Sequence, residues 1–279
     1  MTSVPVVLSI AGSDSGGGAG IQGDIKAIQA CGGFAATVIT AVTAQHTRGV
    51  THVYPVPVPA IEAQLAAVLD DIAVRAIKTG MLGDAATIAA IARRLAQLPA
   101  LPLVVDPVMR SKGGHPLLAD AAVASLRSEL LPLAHVLTPN APEAEALVGA
   151  PVRTAADAEQ AALRLRELGA RAVVLKGGHL DDPTRSADLL VCDAGTWWFE
   201  GPRLATRHTH GTGCTFASAL ATLLALGDPL PQAVSRAKAY VTGAIAGALS
   251  IARVDDGTGH GPTDHDWFRR AGPPPWGEG

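Results

Sequence analysis

The chain has 279 residues, a formal net charge of −3, and 48% hydrophobic against 17% charged residues, which excludes a disordered or low-complexity protein and provides for a sizeable core. Aromatics make up only 4%, so that core must be aliphatic and rich in Ala. The slight acidity argues against nucleic-acid or anionic-membrane binding, which shows as a basic surplus, and no apolar run reaches the about 18 residues of a membrane span.

Val6–Ile10 is a continuous apolar run ending at Ala11-Gly12, the pattern of a strand buried on both faces. Ile21–Cys31 has helical spacing and stops at Gly32-Gly33. Ala35–Val42 reads as the next strand and Ile61–Ile72 as a helix with Pro59 near its start. Ala76–Thr79 reads as a strand, Ala85–Leu98 as a helix, Leu103–Val105 as a short strand, Ala119–Leu131 as a helix and Val136–Leu137 as a short strand. The alternation continues with a helix over Ala155–Leu168 and a strand over Ala172–Leu175. Leu189–Cys192 and Thr196–Phe199 flank Asp193-Ala194-Gly195, a hairpin signal. Gly213–Leu226 and Gln232–Ile251 read as two long helices, and the stretch from Asp255 to Gly279 as irregular, with His260 and His265 solvated.

Alternating strands and helices predict an α/β fold with a mostly parallel sheet covered on both faces. No linker or repeat interrupts the pattern, so one domain over residues 1–270 with a short tail over 271–279 is expected. Met1–Ile10 lacks a basic leader and a cleavage site, so it does not read as a signal peptide. Three widely spaced cysteines (Cys31, Cys192, Cys214) make neither a disulfide framework nor a zinc site, which points to a reduced cytoplasm. Cys31 and Cys192 read as small buried hydrophobes.

Ligands of such sheets bind beyond the carboxyl ends of the strands, and that is where the unusual residue clusters fall. His210-Gly211-Thr212-Gly213-Cys214-Thr215 precedes a long apolar helix. Its glycines allow backbone N–H groups to converge, and the helix start adds partial positive charge, which together suit a phosphoryl group. Cys214 in the first turn is placed to take a proton from a hydroxyl nucleophile, with a thiol pKa expected to be lowered there. A small-residue helix start with a packed Cys is the plainer account. The run from Gly12 to Gly20 lets a flat ligand approach the backbone, although it lacks the GxGxxG register of a dinucleotide site. Asp24 sits one turn into the next helix and either faces the same cleft or solvent.

Asp106, before Pro107-Val108, and Glu143, after Asn140, place two carboxylates at two strand ends, a donor set suited to Mg²⁺ held partly through water. Glu143 also fits as an ordinary first-turn acid. Lys176 closes another strand and either neutralises nucleotide phosphates or is solvated. Gln45 can pair with the edge of a heterocycle, and Met81 can pack on its face, though a solvated loop and a core position are the commoner roles.

Taken together, the stretches AGSDSGGGAGIQGD, ITAVTAQHT, KTGMLGD, VVDPVM, LTPNAPEAEAL, KGGHL, THGTGCT and AKAYVTGAI resemble the hydroxymethylpyrimidine and phosphomethylpyrimidine kinases of thiamine biosynthesis, in the ribokinase-like superfamily. They run in family order from about Val6 to His265. The resemblance implies a ribokinase-like three-layer α/β/α sandwich, ATP with Mg²⁺, and successive phosphorylation of 4-amino-5-hydroxymethyl-2-methylpyrimidine and its monophosphate. It also implies Cys214 as the catalytic base and Gly211, Thr212 and Gly213 as the anion hole. Asp106, Asn140, Glu143 and Lys176 fall on the nucleotide and metal side, and Gly12, Asp24, Gln45, Met81 and Val108 on the pyrimidine side. A homodimer is implied as well. His46, where Asn is usual, and Arg110-Ser111, in place of a smaller and more apolar pair before Lys112-Gly113-Gly114, depart from the pattern. Pyridoxal kinases of the same superfamily, and a non-catalytic pyrimidine sensor on this fold, are the rival expectations.

Overall fold

In the computed structural model, residues 4–111, 113–114, 117–181, 184–253 and 257–271 are described. The first half of the chain runs β1 (Val6–Asp14), α1 (Gly20–Ala30), β2 (Phe34–His46), β3 (Gly49–Pro55), α2 (Val58–Leu69), β4 (Val74–Thr79), α3 (Ala85–Leu95), β5 (Leu103–Val105), α4 (Asp120–Ser125) and β6 (Val136–Leu137). The second half runs α5 (Ala141–Val148), α6 (Ala155–Glu167), β7 (Val173–Leu175), β8 (Asp188–Cys192), β9 (Gly195–Phe199), α7 (Thr212–Ala225), α8 (Leu230–Ala246) and α9 (Trp267–Ala271). All nine strands form one sheet in the order β3-β2-β1-β4-β5-β6-β7-β8-β9. The block from β2 to β7 is parallel, β3 at one edge pairs antiparallel with β2, and at the other edge β8 pairs antiparallel with both β7 and β9. The chain leaves β1 for β2 on one side and returns to β4 on the other. The crevice this reversal opens is where ligands of such sheets bind.

Side-chain alternation along the strands divides the core. Leu8 and Ile10 of β1, with Leu103 and Val105 of β5, face a layer carrying Ile61 and Leu65 of α2, Ile88 and Ile91 of α3, Leu147 of α5 and Leu165 of α6. Val7, Val104, Val136 and Val174 face the opposite layer, built from Ile28 of α1, Phe216 and Leu220 of α7 and Tyr240 of α8. This is the three-layer α/β/α arrangement the alternation predicts. No helix among the described residues is long and apolar enough to cross a membrane.

Several elements differ from the sequence reading. β1 continues past its apolar run to Asp14 because its parallel pairing with β2 persists through a register shift, and β2 continues to His46 because it also pairs with β3. β3 escapes detection because most of it is exposed and it carries no buried run. The helix expected over 119–131 has α4 at its start, a widened turn over Leu126–Leu130 and a tight turn over Leu131–Leu133. Pro132 lacks the N–H that would carry it further as an α-helix. α5, also missed, starts on a reciprocal cap, with the Glu143 N–H donating to Asn140 Oδ1 and the Asn140 N–H to Glu143 Oε2, and ends at left-handed Gly149. Cys192 is half-buried rather than fully buried.

The C-terminal stretch is the larger correction. Trp267 and Phe268 pack against α8 and its neighbours, so the chain there is helical rather than irregular. Thr263, Asp264 and His265 are buried, and His265 is not solvated. Its Nε2 lies 3.0 Å from Thr215 Oγ1 at the start of α7, and Tyr240 donates to its carbonyl at 2.9 Å. His260 is tied to Arg207 by its Nδ1, 3.0 Å from the carbonyl. The rest of the expected tail, residues 272–279, lies outside the described residues, as do 254–256.

Burial holds the His265 imidazole down to about 4, with nearby Lys26 adding to the effect. An unfolded His titrates near ~6.5, so the unfolded chain binds the extra proton between these values. The stability due to neutral His265 is therefore complete above that range and lost as pH falls toward about 4. We expect His265→Gln to flatten this acid loss. Urea unfolding at pH 7 and pH 5 should show a wild-type decrease larger than the variant's by roughly 1–2 kcal/mol.

Candidate active site

Two glycine-containing loops meet beyond the ends of β1 and β4. In the first, the Asp14 carboxylate accepts from the N–H groups of Gly16 (2.8 Å), Gly18 (3.1 Å) and Ala19 (2.8 Å), folding the chain back into α1. The same carboxylate lies 2.7 Å from Nε2 of His210, which leads the second loop. Burial alone would raise Asp14, but the hydrogen bond and charge of His210, with the amides of Ala19 and Gly16, hold it below the usual carboxylate range. At Gly211 φ is +83°, and a Cβ there would lie 1.8 Å from the Gly18 carbonyl oxygen. Only glycine allows both the left-handed turn and this approach.

Past Gly211 the chain enters α7. No side chain caps that helix start; the Thr212 amide expected in the anion hole donates to the Thr209 carbonyl at 3.3 Å, while those of Gly213 and Cys214 are available to an anion. A Cβ on Gly213 would sit 3.3 Å from Lys176 Nζ and 3.5 Å from an Asp106 oxygen. Lys176 donates to Asp106 Oδ1 at 2.7 Å and lies 3.9 Å from Glu143 Oε2. It is thus a paired, mostly buried cation, not a solvated one. Thr138 also donates to Asp106, at 3.2 Å. Burial pushes Glu143 up to about 7; Lys176 pulls against this and Asp106 adds to it. Lys176 is raised, its burial outweighed by Asp106 and Glu143. An uncapped helix start beside one lysine and two carboxylates fits a nucleotide phosphate with Mg²⁺ held through few protein ligands.

Cys214 is half-buried in the first turn of α7. Burial pushes its thiol up to about 11, opposed by Lys78 and by a hydrogen bond from the backbone of Gly20, and reinforced by Asp24 and Asp106. The lowered value expected from the helix start is not found, because desolvation of the thiolate exceeds the gain from nearby positive charge.

On the other side of the crevice, Gly12 leaves room for Met81: a Cβ at position 12 would meet the Met81 methyl at 2.4 Å. Met81 is buried, and its carbonyl accepts from Thr40 Oγ1 at 2.7 Å. The half-buried Gln45 amide lies 3.3 Å from His210 Nε2 and 3.3 Å from Thr43 Oγ1. Val108 and Asp106 line a small cavity together with Thr79 and Gly80. Thr79 Oγ1 is buried there with no hydrogen-bond partner. Ser111 and Gly113 share a depression with Gln45, His46 and His210, so the divergent segment after Arg110 leans over this side; Lys112 lies outside the described residues.

Asp24 does not face the crevice. It is fully buried, and its carboxylate accepts from Ser9 (2.6 Å), Ser218 (2.7 Å) and Lys78 (2.8 Å). Sequence reasoning missed Lys78, although a lysine inside an apolar strand signals a buried partner. It also assigned no role to Asp14 or His210, both of which lie inside the motifs that define the loops.

Residues 14–264 match the family described as phosphomethylpyrimidine kinase. The chain is 51% identical over 259 residues to a bifunctional thiamine biosynthesis protein of Geobacter sulfurreducens, covering 93% of this chain but 52% of that protein. It is 49% identical over 273 residues to the hydroxymethylpyrimidine/phosphomethylpyrimidine kinase of Haemophilus influenzae, covering 97% of this chain and 100% of that one. Among solved structures, the phosphomethylpyrimidine kinase of Clostridium difficile superposes with a TM-score of 0.77 at 40% identity, over 86% of this chain and 99% of that one. The pyridoxal kinase of Staphylococcus aureus, in complex with AMP-PCP and pyridoxal, superposes with a TM-score of 0.87 at 34% identity, over 96% of each chain. With a family match across the strands, loops and helices that form the crevice, the chain belongs to the phosphomethylpyrimidine kinase family.

Proposed function

We propose that the protein phosphorylates the hydroxymethyl group of 4-amino-5-hydroxymethyl-2-methylpyrimidine with ATP and then phosphorylates the monophosphate to the diphosphate. The observation that carries this reading is the uncapped start of α7, which bears Cys214 and packs Gly213 against Lys176 and Asp106.

When bound, ATP would supply the phosphoryl group and Mg²⁺ a positive charge to offset that of the phosphates. The chain's own part is positioning and charge stabilisation. The amides of Gly213 and Cys214 would hold phosphoryl oxygens over the positive end of α7, with Lys176 alongside. Asp106 and Glu143 are the carboxylates that would hold the metal, and the Asn140–Glu143 cap fixes Glu143 in place. Gln45, Gly12, Met81 and Val108 would hold the heterocycle. The Cys214 thiolate would accept the proton of the attacking hydroxyl. The three cysteines are unpaired, which suits a reducing cytoplasm.

Incubation of the enzyme with ATP, Mg²⁺ and the aminopyrimidine alcohol should yield the mono- and then the diphosphate, identified by mass spectrometry. Higher kcat/KM on pyridoxal in a parallel assay would overturn the substrate assignment, and pyrimidine binding without ATP turnover would revive the sensor reading. Cys214→Ala should lower the first phosphorylation by roughly 10²-fold or more, the usual worth of a general base, and the second far less, since a phosphate nucleophile is already ionised. Equal losses would remove the base assignment. Because burial pushes the thiol up to about 11, kcat/KM for the alcohol should rise with pH between 7 and 9.5 in the wild type, and this rise should vanish in Cys214→Ala.

A further inference from the structure

Beneath the thiol lies a charged cluster with no contact to solvent. Lys78 on β4 and Asp24 on α1 are both 0% exposed, and Lys78 Nζ lies 2.8 Å from each Asp24 oxygen. Ser9 of β1 and Ser218 of α7 complete the carboxylate's partners at 2.6 and 2.7 Å. A buried ion pair is weak evidence for a stabilising role, since desolvation offsets most of its attraction. Its placement suggests another role.

The two helices facing it are in register. Gly20 and Asp24 stand one turn apart on α1, and Cys214 and Ser218 stand one turn apart on α7. The Gly20 backbone donates to Cys214 in one layer, and Ser218 donates to Asp24 in the layer below. The Lys78 side chain reaches toward the carboxyl end of its strand, so that a Cβ on Gly80 would lie 2.8 Å from its Nζ. The ammonium group thus sits one helical turn under Cys214, between the sheet and both helices. The other charged groups facing Cys214 are Asp106, after β5, and Lys176, after β7.

We propose that Lys78 is a positioning residue for Cys214: held by Asp24, it supplies the fixed positive charge that supports the Cys214 thiolate when that sulfur takes the proton of the substrate hydroxyl. In that step the hydroxyl O–H bond breaks, its proton joins Sγ, and the oxygen forms the new bond to phosphorus; the thiol afterwards releases the proton to solvent. Without Lys78 the thiolate has the Gly20 amide, the helix start and Lys176, itself paired with Asp106, to offset its burial. Lys78 favours the charged form of the thiol; Asp24 acts the other way, and its carboxylate also accepts from Ser9 and Ser218.

The proposal rests on the role given to Cys214 above, so its test uses a readout that needs no substrate. Alkylation of Cys214 by iodoacetamide, followed by peptide mass spectrometry from pH 7 to 10.5, reports its thiolate directly. Lys78→Met should slow alkylation at pH 8 by about tenfold, the equivalent of one pH unit in the midpoint, while Lys78→Arg keeps the wild-type rate within about threefold. Since Lys78→Met leaves Asp24 buried and unpaired, the variant Lys78→Met/Asp24→Asn removes both charges while keeping the serine hydrogen bonds, and its alkylation should still be slower than wild type by about threefold or more. In folded variants the alcohol phosphorylation should fall in parallel, with the monophosphate step nearly unchanged. Unchanged or faster alkylation in the folded double variant overturns the proposal. If the wild type fails to phosphorylate the pyrimidine, the functional reading falls, but the alkylation series still decides whether Lys78 supports the thiolate.

Discussion

The crevice exists because two loops from distant parts of the chain are fastened to one another. Asp14 gathers the amides of the first loop and takes His210 of the second, and the Gly18 carbonyl fills the space a side chain on Gly211 would need. A hydrogen bond to a charged group such as Asp14 is worth about 1.5–3 kcal/mol, which is modest by itself. The joint effect of the two contacts is geometric. They set the first turn of α7 over the reversal point of the sheet, and every other site residue is arranged around that turn. The buried Thr215–His265 contact secures the same turn from behind.

The electrostatics follow from this placement. The crevice floor holds Lys176 with Asp106 and Glu143, and the Lys78–Asp24 pair is buried beneath it, so almost every charge has a partner before any ligand arrives. An excess of carboxylate remains on the Asp106–Glu143 side, and burial expresses it by raising Glu143. That is a reasonable place for a divalent cation to relieve repulsion. On the opposite side, Gly12, Met81 and the Gln45 amide present a surface of low charge suited to a heterocycle. The division of labour between the two flanks of α7 thus comes from which strands end in carboxylates and which end in small or amide residues.

Much of the fold was legible because the strands are buried on both faces and read as uninterrupted aliphatic runs, and because the helices between them keep regular spacing. β3 was not legible, since its side chains are exposed and nothing periodic marks it. The C-terminal helix was hidden by the Gly and Pro around it; what places it is tertiary, the packing of Trp267 and Phe268 and the Asp264 N–H donating to the Ala244 carbonyl. The strand-end clusters pointed correctly to one edge of the sheet. Asp24 did not follow, because a sequence shows a carboxylate near a glycine loop but not that Lys78 lies beneath it. The direction of the Cys214 shift was misjudged for the same reason: a helix start is visible in the sequence, while the burial that outweighs it depends on residues from β4, β5 and α1.

From Thr215 to Leu223 every residue of α7 is buried, so the helix is a strut embedded in the core rather than a mobile surface element. Its anion-holding end cannot shift to accommodate a larger guest without dragging hydrophobic packing along with it. An enzyme that admits both an alcohol and the bulkier phosphate ester derived from it must therefore find its compliance elsewhere. Among the described residues, Gln45, His46, Thr47 and Ser111 line the crevice without being embedded in such a strut, so accommodation of substrate size falls to their side.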